Sequence, residues 1–213
     1  MVEFSSVMTK GSIYNIAFPF TRHLQRYELA VSLKLITDKK VIDVGCGTTL
    51  GTSVLLEYAK YVLGCDVNLI DNAILVIAIH NEGNENGPIE KRHALVKAAV
   101  EEVEDNFDIG VAIEVFEHVQ DPKKFIKHLS KICDYIWITT PLAKETGKTR
   151  NPEHVMEYSA EDFNSIVKCG FHILGNLFQT GSMEIKSYGE YTGDSFAPWH
   201  TVQIIYGKSK RLE

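Results

Sequence analysis

The sequence has no apolar run close to the ~18 residues that a bilayer-spanning helix needs. Its longest candidate, Ala73 to Ile79, falls far short, so membrane insertion is not expected. The first residues, Met1 to Lys10, lack a basic stretch leading into an apolar one, which argues against a secretory signal. Cysteine is scarce. Cys46, Cys65, Cys133 and Cys169 are scattered and form no CxxC pair, which excludes a zinc ribbon or a disulfide scaffold and points to a reducing, cytoplasmic setting. Positive charge is also short: 22 Lys and Arg against 28 Asp and Glu leave a net charge of -6, so phosphate backbones are not attracted over long range. Nucleic acid is therefore a disfavoured partner but not an excluded one, because Lys144, Lys148 and Arg150 share one loop that reads otherwise as a solvated surface segment.

What is present is an ordinary globular composition, with 45% apolar residues and enough of them for a sizeable core. Helix-like and strand-like segments alternate. Thr21 to Ile36 reads as an amphipathic helix, Lys40 to Val44 as a buried strand, Thr52 to Ala59 as a helix and Tyr61 to Cys65 as a second strand. Asn68 to His80 reads as a helix, Asn81 to Pro88 as a turn-rich break, and Leu95 to Val100 as a weak third strand. Phe107 to Val115 is apolar on both faces, as a central parallel strand should be. Asp121-Pro122 supplies an N-cap and a first-turn proline for a helix buried through Phe125, Ile126, Leu129 and Ile132. Tyr135 to Thr140 is a fifth strand, Ala143 to Glu157 a polar loop, and Ser159 to Asp162 a capping-box-like start to a helix ending at Lys168 before Gly170. Phe171 to Phe178 and Val202 to Tyr206 close the chain. The order implies an α/β, Rossmann-like, doubly wound and mostly parallel sheet with an antiparallel C-terminal hairpin. No repeat or linker interrupts it, so one domain is expected over 1–213, with residues 1–37 as a helical cover and 38–213 as the core.

Ligands in such sheets bind beyond the carboxyl ends of the strands, and there the informative residues fall. In Val41-Ile42-Asp43-Val44-Gly45-Cys46-Gly47, the two glycines allow a tight turn and a close backbone approach. Asp43 precedes them. A carboxylate there repels a pyrophosphate but suits a ligand carrying an ammonium and a sulfonium. Leu50 stands where a dinucleotide fingerprint needs its third glycine. Asp66, in Gly64-Cys65-Asp66-Val67, ends the next strand roughly 20 residues on, where a carboxylate can accept both hydroxyls of a ribose.

These segments, with Asn106 to Val119, resemble in order the motifs of the class I S-adenosylmethionine-dependent methyltransferases, and the resemblance covers about Arg26 to Phe178. It implies a seven-stranded sheet with a reversed last hairpin and S-adenosylmethionine as the cofactor. It also implies that Asp43, Gly45, Cys46 and Gly47 line the methionine part, that Asp66 holds the ribose and that Val67 lies against the adenine. Two positions depart from the pattern. Thr49 stands where many relatives carry a third glycine. Ala99, in Lys97-Ala98-Ala99-Val100, stands where many carry an Asp for the adenine amino group, so contacts from Ala99 and Val100 would come from backbone. Arg26 is read either as a partner of the cofactor carboxylate or as a surface residue. Cys46 reads as packing rather than as a nucleophile.

Glu114-Val115-Phe116-Glu117-His118 carries the catalytic question. Glu114 ends the central strand, beside the expected methyl donor. Two carboxylates and an imidazole this close could ligate a divalent cation, Mg or Mn, and His154 in the later loop could complete the set. The segment resembles the E-x-x-E-H of the ubiquinone-pathway O-methyltransferases and of the enzymes that methylate the terminal 2′-hydroxyl of small RNAs. By that resemblance Glu114, Glu117, His118 and His154 would be the ligands. Without a metal, His118 could serve alone as a general base, or it could only cap the turn. His23, His80, His93, His128, His172 and His200 have no partner visible in sequence and read as ordinary positions. The absence of an Asp/Asn-Pro-Pro-Tyr segment and of a Pro-Cys pair after the fourth strand excludes the usual amino-methylating and cytosine-5 DNA enzymes. The expectation is O-methylation of a small polar acceptor such as a sugar or phenolic metabolite. The alternatives are a metal-dependent RNA 2′-O-methyltransferase and a non-catalytic cofactor-binding protein. No oligomeric state is implied.

Overall fold

The computed structural model describes residues 20–69, 92–147, 151–180, 185–187 and 201–213. The turn expected at Asn81 to Pro88, nearly all of the helix expected at Asn68 to His80, and Lys148, Arg150, His80 and His200 lie outside them. Two compact units form, one reaching to Lys97 and one starting at Ala98.

The first unit contains α1 (Phe20–Ser32), β1 (Lys40–Val44), α2 (Leu50–Leu56), β2 (Tyr61–Cys65) and β3 (His93–Val96). Its strands lie in the order β3-β2-β1 and are all parallel. Val41, Ile42, Asp43 and Val44 are buried without alternation, as expected of a parallel strand covered on both faces. Asp43 is therefore a carboxylate at an otherwise apolar core position. The helix α1 buries Leu24, Tyr27 and Ala30, one apolar residue per turn, and Leu33 just beyond its end is buried as well. It stops at Ser32, short of the expected Ile36, because Lys34 takes a left-handed backbone with φ 58°. Ile36 is still fully buried. At the other helix, the Arg92 guanidinium donates to the carbonyls of Leu56 and Ala59, satisfying acceptors that the end of α2 leaves open.

The second unit contains β4 (Phe107–Ile113), α3 (Pro122–Ile132), β5 (Cys133–Pro141), α4 (Ala160–Val167), β6 (Phe171–Gln179), β7 (Ile185–Ser187) and β8 (Val202–Ser209). The strands run β4-β5-β8-β6-β7, with β4 and β5 parallel and β8 antiparallel to both β5 and β6. The reversed closing pair is as expected. The short edge strand β7 is an addition and brings the described strands to eight against the seven expected. The caps also agree with the sequence: Asp121 Oδ1 accepts from the Lys124 amide at 3.0 Å, and Ser159 Oγ accepts from the Asp162 amide at 3.2 Å.

Two further boundaries differ with a clear cause. The third strand ends at Val96, and Val100–Glu102 forms a 3-10 turn whose entry is closed by the Glu102 carboxylate on the Ala99 amide, 3.0 Å. The central strand β4 ends at Ile113, because Glu114 adopts φ 56° and turns the chain out of the sheet.

Candidate functional site

In the first unit, the turn after β1 is built on left-handed backbone. Gly45 and Gly47 have φ 68° and 49°, and Thr49 follows at 65°. The Gly45 amide donates to the Cys65 carbonyl at 2.7 Å, and the Thr49 amide donates to the Cys46 carbonyl at 2.7 Å. Asp66 ties this loop to the end of β2: its Oδ2 accepts from the Gly47 amide at 2.8 Å, and its Oδ1 accepts from the Asn68 amide at 2.7 Å. A carboxylate oxygen has a second lone pair, so both oxygens retain capacity for ligand hydroxyls. Val67 beside it is 58% exposed, an apolar side chain left open at a strand end.

Asp43 is fully buried. Tyr27 Oη donates to its Oδ1 at 3.0 Å and Thr52 Oγ1 to its Oδ2 at 2.6 Å. Burial pushes its carboxyl up to about 7, against the opposing pull of these two hydrogen bonds, with the Asp66 charge adding to the rise. Burial, followed by the Asp43 charge, holds the Tyr27 hydroxyl well above its ordinary value. Tyr27 and Thr52 were not singled out in the sequence; Tyr27 reads there as one more apolar member of a helix, and Thr52 as a residue of the next helix. Arg26 is buried at 3% exposure, which removes the surface alternative. Its guanidinium lies close enough to Tyr27 to oppose the rise of that hydroxyl. Burial pushes the Cys46 thiol far up, so it is no nucleophile.

In the second unit, Ala99 is half-buried and Val100 buried, with the Ala99 amide occupied by Glu102 as described. The polar cluster lies between the turn after β4 and the loop after β5. Phe116 is fully buried, its ring 4.8 Å from Tyr158 and 4.9 Å from Phe163, and this aromatic contact fixes Glu117 and His118 against the later loop. The Val155 and Met156 amides both donate to the Glu117 carbonyl, at 2.9 and 3.1 Å. Glu117 is buried, and its Oε2 accepts from Thr140 Oγ1 at 3.1 Å. His118 Nδ1 lies 3.0 Å from the Glu153 carbonyl, and its Nε2 lies 4.0 Å from Glu117 Oε1. The rings of His118 and His154 meet edge to face at 5.0 Å.

Glu117, His118 and His154 bring one ligand atom each within 4.8 Å of one another. Of the four ligands expected, Glu114 stands outside this group. Its amide donates to Thr139 Oγ1 at 3.1 Å, and that hydroxyl faces its Oε1 at 3.4 Å. Three further residues join the cluster. His154 Nδ1 lies 3.1 Å from Glu157 Oε1, His154 Nε2 lies 3.1 Å from Asn151 Nδ2, and Thr140 holds Glu117. Of the remaining described histidines, His128 Nε2 faces the Val103 carbonyl at 3.0 Å and His172 Nε2 meets Glu213 at 2.6 Å, both structural contacts.

A family model described as a methyltransferase domain matches residues 20–177. The chain belongs to the class I S-adenosylmethionine-dependent methyltransferases. A ubiquinone biosynthesis O-methyltransferase of Pseudomonas fluorescens is 30% identical over 92 residues, 43% of this chain. That stretch spans 38% of the relative's own length. Among solved structures, the small RNA methyltransferase HEN1 superposes with a TM-score of 0.64 at 20% identity, covering 95% of this chain and 27% of that one. The N-methyltransferase NodS of Bradyrhizobium japonicum, in complex with S-adenosylhomocysteine, superposes with a TM-score of 0.60 at 15% identity, covering 92% and 89%. These likenesses establish the Rossmann-like α/β fold of the chain. Among its described residues, no helix is long and apolar enough to cross a membrane.

Proposed function

We propose that the chain transfers the methyl group of S-adenosylmethionine to an oxygen of a small polar acceptor that presents two vicinal oxygens. The carrying observation is the convergence of Glu117, His118 and His154, a carboxylate and two imidazoles with ligand atoms within 4.8 Å. That donor set, with two imidazoles to one carboxylate, fits a divalent transition metal better than magnesium, because imidazole is a softer ligand than carboxylate or water. A cation bound there would orient the acceptor oxygens and lower the pKa of the attacking hydroxyl.

The residues of the chain then divide the work. Asp66 receives the ribose hydroxyls and Val67 meets the adenine. The glycine backbone at 45 and 47 admits the methionine part beside Cys46. Asp43, fully buried, acts as a buried charge favouring a cationic ligand rather than as a contact in its own right. Arg26 meets the cofactor carboxylate, and the backbone at Ala99 and Val100 borders the adenine. Glu114 lines the methyl-transfer site. The acceptor oxygen loses its proton and takes the methyl group from the sulfonium, which leaves as the neutral thioether. His118 Nε2 is the proton acceptor if no metal binds. Catalysis is mostly by positioning.

The O-methyltransferase named among the relatives supports oxygen as the acceptor atom, and the net charge of -6 supports a small metabolite over a polyanion. A second reading, methylation of a terminal RNA ribose, is favoured by the approach of His154 to Glu117 and His118. The test is turnover of labelled S-adenosylmethionine with catechols, sugars, short RNA and amines, with and without manganese. Turnover of a vicinal diol that a chelator abolishes supports the proposal. Turnover of RNA alone moves the assignment to the second reading, and turnover of an amine alone sinks both.

A further inference from the structure

We infer that Glu157 and Asn151 set the tautomer of His154: Glu157 holds the proton on Nδ1, and the Asn151 amide covers the Nε2 lone pair that an entering cation must take. The inference rests on the cation reading above and adds to it a built-in competitor for the metal.

The argument is one of donors and acceptors. Asn151 Oδ1 accepts from the Glu153 amide at 3.0 Å. This contact fixes the orientation of the side-chain amide, because turning it over would set an NH2 against an N–H. Asn151 Nδ2 therefore stands 3.1 Å from His154 Nε2 and has only hydrogens to offer. Nε2 must accept, so it carries no proton. The ring's single proton then sits on Nδ1 and is donated to Glu157 Oε1 at 3.1 Å. Both partners of that bond are well covered, with side-chain exposures of 11% for His154 and 7% for Glu157, so the bond is shielded from competing water.

His118 obeys the same logic with a different partner. Its Nδ1 faces the Glu153 carbonyl at 3.0 Å, and a carbonyl only accepts, so the proton is again on Nδ1 and Nε2 is the basic nitrogen. Both imidazoles are thus in the tautomer that a metal-binding Nε2 requires, each fixed through its other nitrogen, as ligating histidines generally are. The two differ in what stands before Nε2. On His154 a cation has first to displace the Asn151 hydrogen bond. Glu157 and Asn151 are positioning residues with opposite signs: one raises the affinity for a cation and the other lowers it.

The test uses the full chain in two measurements. Long-range proton–nitrogen NMR on the histidine-labelled, cation-free protein reads the tautomer of His154 directly. Cobalt(II) titration, followed by its visible absorption, reads affinity. The expected results are an Nδ1-protonated His154, cobalt affinity about 10-fold or more lower in Glu157→Gln, and affinity about 2- to 10-fold higher in Asn151→Ala. Asn151→Ser guards against a loop disturbed by the alanine, since its hydroxyl can still accept from the Glu153 amide but is too short to cover Nε2; it too should bind cobalt more tightly. An Nε2-protonated His154 overturns the inference whatever cobalt does. The expected tautomer with unchanged affinity in both Asn151 variants overturns the competition. The expected tautomer with no cobalt bound by the wild type or by any variant overturns the cation reading itself, and this inference with it.

Discussion

At the scale of single residues, the loop after β1 contains a strained position. Thr49 holds φ 65° without being glycine, and left-handed backbone costs a residue with a Cβ roughly 1–2 kcal/mol. Part of that cost is offset by the smaller entropy a threonine loses on folding. Thr49→Gly should therefore raise stability by about 0.5–1 kcal/mol, measured by urea unfolding; a loss of stability would mean that its buried side chain outweighs the backbone term. Asp43 makes a pH-dependent contribution. Its folded carboxyl is raised by burial from 3.8 to about 7, so the folded state binds the proton more tightly than the unfolded one. The contribution is full below pH ~4 and is lost as pH rises through about 7. Unfolding of the cofactor-free chain followed from pH 4 to 8 should show this decline, and Asp43→Asn, which keeps one acceptor oxygen for Tyr27, should flatten it. A cationic cofactor favours the ionised form, so its affinity should rise over the same interval.

At the scale of elements, the packing of α1 on α2 depends on a missing side chain. A Cβ on Gly51 would lie 2.1 Å from Tyr27 Cζ, and the tyrosine cannot yield without leaving Asp43. Gly51→Ala should cost about 1–3 kcal/mol, as overpacking does, and should weaken binding of S-adenosylhomocysteine in calorimetry. A variant that binds normally would show that Tyr27 is not needed to hold Asp43. Most of these elements are legible in sequence. The β-branched run at Lys40–Val44, the Asp121-Pro122 cap and the Ser159 cap are local signals that the structure repeats. What could not be read falls into two kinds. Boundaries such as Ile113 are set by one residue's backbone angle, and no side-chain pattern marks an unexpected left-handed glutamate. Partnerships such as Tyr27 with Asp43, or Glu157 with His154, join a hydrogen bond to a residue whose pattern announces something else: Tyr27 looks like core, and Glu157 like part of a polar loop. The grouping of Glu117, His118 and His154 was visible as a candidate set, while the position of Glu114 outside it depends on Thr139, a strand residue without any motif.

At the scale of the whole molecule, a chain of 213 residues with net charge -6 has a modest stability reserve and an unspecific repulsion for polyanions. Ligand binding should therefore show in its thermal stability. S-adenosylhomocysteine at about 100 times its dissociation constant should add ~2.7 kcal/mol, or about 5–10 °C in Tm for a protein of this size. Asp66→Ala should abolish most of that shift. A full shift retained in the variant would take the ribose role away from Asp66.

The left-handed glutamate at the end of β4 sets two selections against each other. Its φ of 56° holds the carboxylate where Thr139 meets it, and the backbone would relax if the residue were glycine or asparagine. In a library sorted only for folded protein at raised temperature, Gly and Asn should accumulate at position 114. Sorted for methyl transfer, the same clones should disappear. Selection for stability alone at this position should yield a sturdier protein that no longer transfers methyl groups, so position 114 should be held fixed in any attempt to engineer this chain for durability.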